Sequence, residues 1–207
     1  MVRIKIGCRV SQLALAYAEK VKNKLLTAVP DADITLVGIK SDGDIHPDVD
    51  ISKIGGKGVF CTLIEQELFW GNIDIAVHSL KDMPGEENPA LCVHGVLERS
   101  DYRDVLVGKV FEGAVIGTSS PRRTAQMLDV FSNLRVQVKK IRGNVDTRIK
   151  KLQSGEYDAI VLAKAGLDTL DIDIEYEELT IIPAIGQGII AMQTRNDDFE
   201  LNKIIKQ

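Results

Sequence analysis

Apolar and polar positions along this chain alternate between two rhythms, and the order of the rhythms predicts the elements. Residues 3–7 alternate charged and apolar, which reads as a short strand. Ser11 then stands as N-cap of a helix on which Leu13, Tyr17, Val21 and Leu25 recur at four-residue spacing. Residues 34–39 form the next strand. Residues 41–58 have no periodicity and end in Gly55-Gly56-Lys57-Gly58, so a long functional or mobile loop is expected there. The stretch 60–70 is amphipathic, with Phe60, Ile64 and Leu68 on one face and Gly71 as its stop. A strand at 73–77 runs into the polar loop His78-Ser79-Leu80-Lys81-Asp82-Met83-Pro84, and a strand at 91–96 closes the first block.

A second block repeats the plan. It has strands at 115–117, 135–141 and 159–163, a helix opened by Ser120 and Pro121, and a helix from Asn144 through Leu152 that Gly155 ends. A strand at 189–193 and a helix at 199–205 finish the chain. Alternating strands and helices predict an α/β architecture with mostly parallel sheets. Two such blocks predict two lobes, with ligands bound beyond the carboxyl ends of the strands, in a central cleft.

Composition narrows the class. With 207 residues, 44% hydrophobic, the chain is long enough for one large or two modest domains with a real core. No apolar run reaches the roughly 20 residues of a membrane span. Residues 1–7 lack a signal-peptide stretch, and three cysteines point away from a disulfide framework and toward a reducing cytoplasm. The net charge is −4, yet residues 99–151 hold 12 Lys/Arg against 5 Asp/Glu. A local excess of that kind suits an anionic partner, and it equally suits a solvated basic face.

The strand-end cations bear on that choice. Arg122 and Arg123 fall in the first turn after Ser120, where the helix dipole disfavours cations by roughly 0.3–1 kcal/mol each. An anion shared by the guanidinium groups and the free helix N–H groups explains such a pair, and so do two side chains reaching outward to solvent. Arg142, with Arg148 one turn into the next helix, and Arg9 after the first strand repeat the theme, in favour of a phosphate or polycarboxylate ligand. Lys53 with the glycines and Lys57 lacks P-loop spacing and reads as a basic lid or a plain turn. Asp82, at the mouth of an apolar strand, can stabilise a developing cation or exchange protons; the alternative is a turn-forming Asp. His46, His78 and His94 do not have metal-ligand spacing, so no metal is expected.

Together these stretches resemble the porphobilinogen deaminase (hydroxymethylbilane synthase) family. The matching motifs are Gly7-Cys8-Arg9 with Ser11-Gln12-Leu13-Ala14-Leu15, Gly55-Gly56-Lys57-Gly58-Val59-Phe60, and His78 through Pro84. They continue with Gly117-Thr118-Ser119-Ser120-Pro121-Arg122-Arg123, Arg142-Gly143-Asn144-Val145-Asp146-Thr147-Arg148, Gly155-Glu156-Tyr157-Asp158-Ala159, Ala165-Gly166-Leu167 and Pro183-Ala184-Ile185-Gly186-Gln187-Gly188. The resemblance implies a transferase that joins porphobilinogen units into the linear chain hydroxymethylbilane and releases ammonia, within tetrapyrrole and heme biosynthesis. It implies type II periplasmic-binding-protein topology, with lobe 1 formed by 1–100 plus 188–207 and lobe 2 by 101–187. Asp82, with Lys81, is implied as catalytic. Arg9, Ser11, Lys81, Asp82, Thr118, Ser119, Ser120, Arg122, Arg123, Arg142, Gly143, Arg148 and Gln187 are implied as binding a dipyrromethane cofactor. Arg9, Lys57, Phe60, Arg142 and Arg148 are implied as binding substrate.

The chain departs from the family pattern as well. The family has Thr, Gln and Leu where this chain has Cys8, Tyr17 and Pro121, basic residues at the places of Thr62 and Thr169, and Glu at that of Gln193. Members carry a third domain whose cysteine holds dipyrromethane by a thioether; the chain reads as a short form without it, with the cofactor noncovalent or absent. Three expectations follow: a compact deaminase, an enzyme completed by a separate subunit, or a non-catalytic pyrrole- or polycarboxylate-binding protein. Cys8, beside Arg9 and a helix start, is a candidate pyrrole anchor through a lowered thiol pKa, or simply a small buried residue. The remaining expectations are a cytoplasmic monomer that binds porphobilinogen and its oligopyrroles, and neither nucleic acid nor membrane.

Overall fold

A computed structural model describes residues 2–40, 61–86 and 88–206. The chain divides into two compact units, one of residues 1–100 with 188–207 and one of residues 101–187. Among the described residues, no helix is long and apolar enough to cross a membrane.

The first unit is a five-stranded sheet built from β1 (Arg3–Arg9), β2 (Asp33–Ile39), β3 (Ile75–Ser79), β4 (Leu91–Val96) and β10 (Ile190–Arg195), in the order β2-β1-β3-β10-β4. β1 runs parallel to β2, Arg3 opposite Asp33 through Arg9 opposite Ile39, and parallel to β3. Helix α1 (Gln12–Ala28) opens on Ser11, whose Oγ accepts the Ala14 N–H at 3.3 Å. Its buried stripe of Tyr17, Ala18, Val21 and Leu25 meets Ile4, Ile6, Ile34, Ile75 and Val77 on one face of the sheet. The last helix, α6 (Phe199–Ile205), adds Leu201 and Ile205 to the same core. Helix α2 (Thr62–Phe69) covers the opposite face with Ile64 and Leu68 against Ile73, Ala76 and Leu91. Burying both faces is what lets β3 carry apolar side chains at three successive positions, Ile75 and Val77 toward one face and Ala76 toward the other.

The second unit repeats the plan with β5 (Asp104–Gly108), β6 (Val115–Gly117), β7 (Gln137–Lys139), β8 (Ala159–Ala163) and β9 (Glu177–Leu179), in the order β7-β6-β8-β5-β9. Successive residues of β5 and β8 feed opposite faces. Val105, Val107, Ile160 and Leu162 pack with Ile149 of α4 (Val145–Gln153) and Leu167 of α5 (Lys164–Thr169). Leu106, Ala159 and Val161 pack with Met127 of α3 (Pro121–Val130).

Several boundaries differ from the sequence reading. The sheets are mixed rather than mostly parallel: β10 runs antiparallel to β3 and β4, and β5 runs antiparallel to β8 and β9. Strand direction depends on where the long connections re-enter, which local periodicity does not encode. β1 extends to Arg9, so Cys8 and Arg9 lie in the strand rather than after it. The strand expected at 73–77 is displaced to Ile75–Ser79, and Leu80–Asp82 forms a 3₁₀ turn where an open loop was expected. The strand expected at 135–141 keeps only its centre. β5, β9 and α5 were not expected: α5 is short and β9 both short and polar, whereas β5 carries a buried apolar run, Val105-Leu106-Val107, that the sequence reading passed over. The glycine-rich loop, Lys57 and Phe60 lie outside the described residues.

Candidate active site

In the first unit the ends of β1 and β3 and the start of α1 enclose a cavity. Its polar wall is Arg9, Ser11, His78, Ser79 and Asp82, and Tyr17, Cys61, Leu13, Ala14 and Val77 complete it. Parallel pairing of β1 with β3 puts their carboxyl ends side by side, and this explains why residues about seventy positions apart share one concavity. Asp82 is exposed, but its turn is anchored. The Leu80 N–H donates to the Ile189 carbonyl at 3.0 Å, and the Met83 N–H closes the turn on Leu80 at 3.2 Å. Met83 is buried beside Cys61 and Ala191, and the Cys61 Sγ donates to the Asp82 carbonyl at 3.7 Å. A carboxylate is therefore presented to the cavity on a fixed turn, with Lys81 half-buried next to it.

The wall is poorly solvated. Burial pushes the His78 imidazole down to about 4, with the Gln193 side chain opposing. Burial, then Glu65 and Asp82, push the Cys61 thiol up to about 12, with Arg9 opposing. Burial likewise pushes the Cys8 thiol up to about 11, so the lowered pKa expected there is overturned. Cys8 is wholly buried within the α1 face of the core, away from the solvent exposure that an anchoring nucleophile requires.

The second unit carries further predicted residues after β6, after β7 and at Gln187. Thr118 is buried, and its Oγ1 accepts the Ser120 N–H at 3.2 Å. Ser119 Oγ donates to the Ile141 carbonyl at 2.5 Å, and Ser120 caps α3 by accepting the Arg123 N–H at 3.4 Å. The side chains of Arg122 and Arg123 do not splay outward. Both converge on Asp104, a carboxylate that the sequence reading missed. Arg123 is itself buried and gives its Nη1 to the Val161 carbonyl at 3.0 Å; Gln187 Nε2 joins the Asp104 carboxylate at 2.8 Å. Burial works to raise the Asp104 carboxyl, but Arg123, Arg122 and Gln187 outweigh it and hold the group below the ordinary range. Arg142 and Arg148 flank Gly143, whose carbonyl accepts Arg148 Nε at 2.8 Å. Gly143 has φ +110°, and a Cβ there would lie 2.7 Å from Thr147, so this turn requires glycine. The signal for Asp104 was an acid opening an apolar run, Asp104-Val105-Leu106-Val107, in a basic stretch.

Residues 4–203 match the family model described as porphobilinogen deaminase, dipyromethane cofactor binding domain. The chain belongs to the porphobilinogen deaminase family. Porphobilinogen deaminases from Brevibacillus brevis and Syntrophomonas wolfei are each 42% identical to it, across the whole chain and 70% and 71% of their own length. That of Staphylococcus aureus is 41% identical over the whole chain and 70% of its own length. Among solved structures, the methionine-binding protein MetQ has a TM-score of 0.59 at 15% identity, covering 99% of this chain and 89% of its own. An arginine transport-system periplasmic binding protein from Legionella pneumophila has 0.53 at 14%, covering 100% and 91%. Likeness at that identity establishes the fold, the two-unit architecture of type II periplasmic binding proteins. Of the residues expected to bind, Arg9, Ser11, Lys81 and Asp82 lie on the first unit, and Thr118, Ser119, Ser120, Arg122, Arg123, Arg142, Gly143, Arg148 and Gln187 on the second.

Proposed function

We propose that this chain condenses porphobilinogen into a linear pyrrole chain with release of ammonia, using Asp82 as the catalytic carboxylate. The observation that carries the reading is the cavity that brings Arg9, Ser11 and Asp82 together on the first unit. A pyrrole bearing acidic side chains needs cations for its carboxylates and an acceptor for its N–H, and that donor set supplies both. It also fits a dipyrromethane, whose chemistry when bound is to offer the pyrrole end that receives each new unit.

Asp82 accepts the pyrrole N–H and, as ammonia leaves the substrate, faces the cation that remains. A fixed carboxylate stabilises that charge without reorganising at the moment of reaction. Arg9 and Lys81 hold substrate carboxylates, Ser11 adds a hydroxyl, and the buried wall of Tyr17, Cys61 and Val77 keeps bulk water from the leaving face. Arg122, Arg142 and Arg148 bind carboxylates on the second unit. Neither Cys8 nor Cys61 carries the dipyrromethane, a reading supported by their depth and the raised values of their thiols. Three free cysteines are in keeping with a cytoplasmic enzyme.

The test is incubation with porphobilinogen, following ammonia and pyrrole products by mass. We expect Asp82→Asn to lower ammonia release by at least about a hundredfold while leaving binding intact. Ammonia release that survives the substitution removes Asp82 from the mechanism. Tight binding without any turnover by the unsubstituted chain would favour a binding protein instead.

A further inference from the structure

We propose that Asp104 is a positioning residue that fixes the Arg122 guanidinium for a ligand carboxylate; the inference rests on the functional reading above. Asp104 is the first residue of β5 and is wholly buried. Its two oxygens are used unequally. Oδ1 accepts Arg123 Nε at 3.1 Å, Arg123 Nη2 at 2.6 Å and Gln187 Nε2 at 2.8 Å. Oδ2 accepts Arg122 Nη2 at 2.7 Å. Arg122 has a second anchor, from Nη1 to the Ile182 carbonyl. That carbonyl is held in turn by Gln126 Nε2 at 3.0 Å, while Gln126 Oε1 accepts the Ile182 N–H at 2.7 Å. Despite two anchors, the Arg122 side chain stays 25% exposed, against 8% for Arg123.

This arrangement does three things for an anion. It removes the rotamer freedom of a long side chain before any ligand arrives, so less ordering opposes binding. It holds a cation at the start of α3, where the helix dipole would otherwise disfavour it. Because one carboxylate faces two guanidinium groups, a net positive charge remains. A purely electrostatic role predicts the opposite result: Asp104 would then only weaken the attraction for an anion, and removing its charge would tighten binding.

The deciding experiment is calorimetric titration with porphobilinogen in the Asp82→Asn background, with thermal midpoints recorded alongside. We expect Asp104→Asn to weaken binding about tenfold, the scale of one charge-assisted hydrogen bond, and to add nothing once Arg122→Ala is present. Asp104→Glu keeps the charge but displaces it, and should weaken binding to a similar extent with the midpoint largely retained. Unchanged or tighter binding overturns the proposal, as does a loss that persists without Arg122, or unfolding of both Asp104 variants. Failure of the Asp82→Asn parent to bind porphobilinogen at all would instead strike the functional reading on which the proposal stands.

Discussion

His78 makes the first unit acid-labile in a calculable way. It lies in β3 against the cavity, and its Nε2 is buried with no hydrogen-bond partner among the described residues. Burial takes its imidazole from the ordinary 6.5 down to about 4. As pH falls through about 6.5 the unfolded chain takes up a proton there, and the folded chain does not until about 4. Between those values the unfolded state binds more protons, so acid favours it; stability from this residue is complete above about pH 6.5. At about 1.4 kcal/mol per pKa unit, the loss by pH 4 is about 3 kcal/mol. His78→Gln keeps a polar side chain but cannot titrate. Urea unfolding followed by far-ultraviolet circular dichroism at steps from pH 7 to pH 4 should show the unsubstituted chain losing about 3 kcal/mol more than the variant. Parallel pH profiles for the two proteins would refute the reasoning.

Three further outcomes are expected. Arg123→Met strips a buried carboxylate of its main partner and should cost about 3–5 kcal/mol near neutral pH. Because Asp104 is held below its ordinary range in the folded chain, this stability is present above about pH 4 and fades below it, so urea curves of the two proteins should converge in acid. Gly108→Ala should cost about 3 kcal/mol or more, because at φ +105° a Cβ would lie 2.3 Å from the Asp158 carbonyl oxygen and 2.9 Å from the Ala159 Cα. Gly113→Ala, at φ +80° with nothing within 4 Å, should cost only about 1 kcal/mol, and equal denaturation midpoints for the two would contradict the steric account. Alkylation at pH 8 should modify half-buried Cys92 and spare Cys8 and Cys61 until the chain unfolds, as intact mass will report.

Much of the site was legible because its residues announce themselves locally. Ser11 and Ser120 cap their helices as the capping pattern predicts, and Asp82 follows an apolar strand at a cavity mouth. Arg122 and Arg123 were suspect because two cations at a helix start need a counter-charge. The sequence could state that need, but not that Asp104, about twenty positions earlier, meets it from within the chain. The same limit hid the raised Cys8 thiol, since a neighbouring Arg9 is visible in sequence and the desolvating core of α1 is not.

Side-chain periodicity, caps and glycine stops are short-range properties, written into a few consecutive residues, and so the α/β alternation, the family motifs and the helix starts were determined by the sequence itself. Strand direction within each sheet, the Asp104 network and the pKa values of His78 and Cys8 were decided only by the tertiary structure. They depend on which distant segments come into contact and exclude water; a local stretch can show that a partner is needed, as Arg122-Arg123 does, but not which distant residue supplies it.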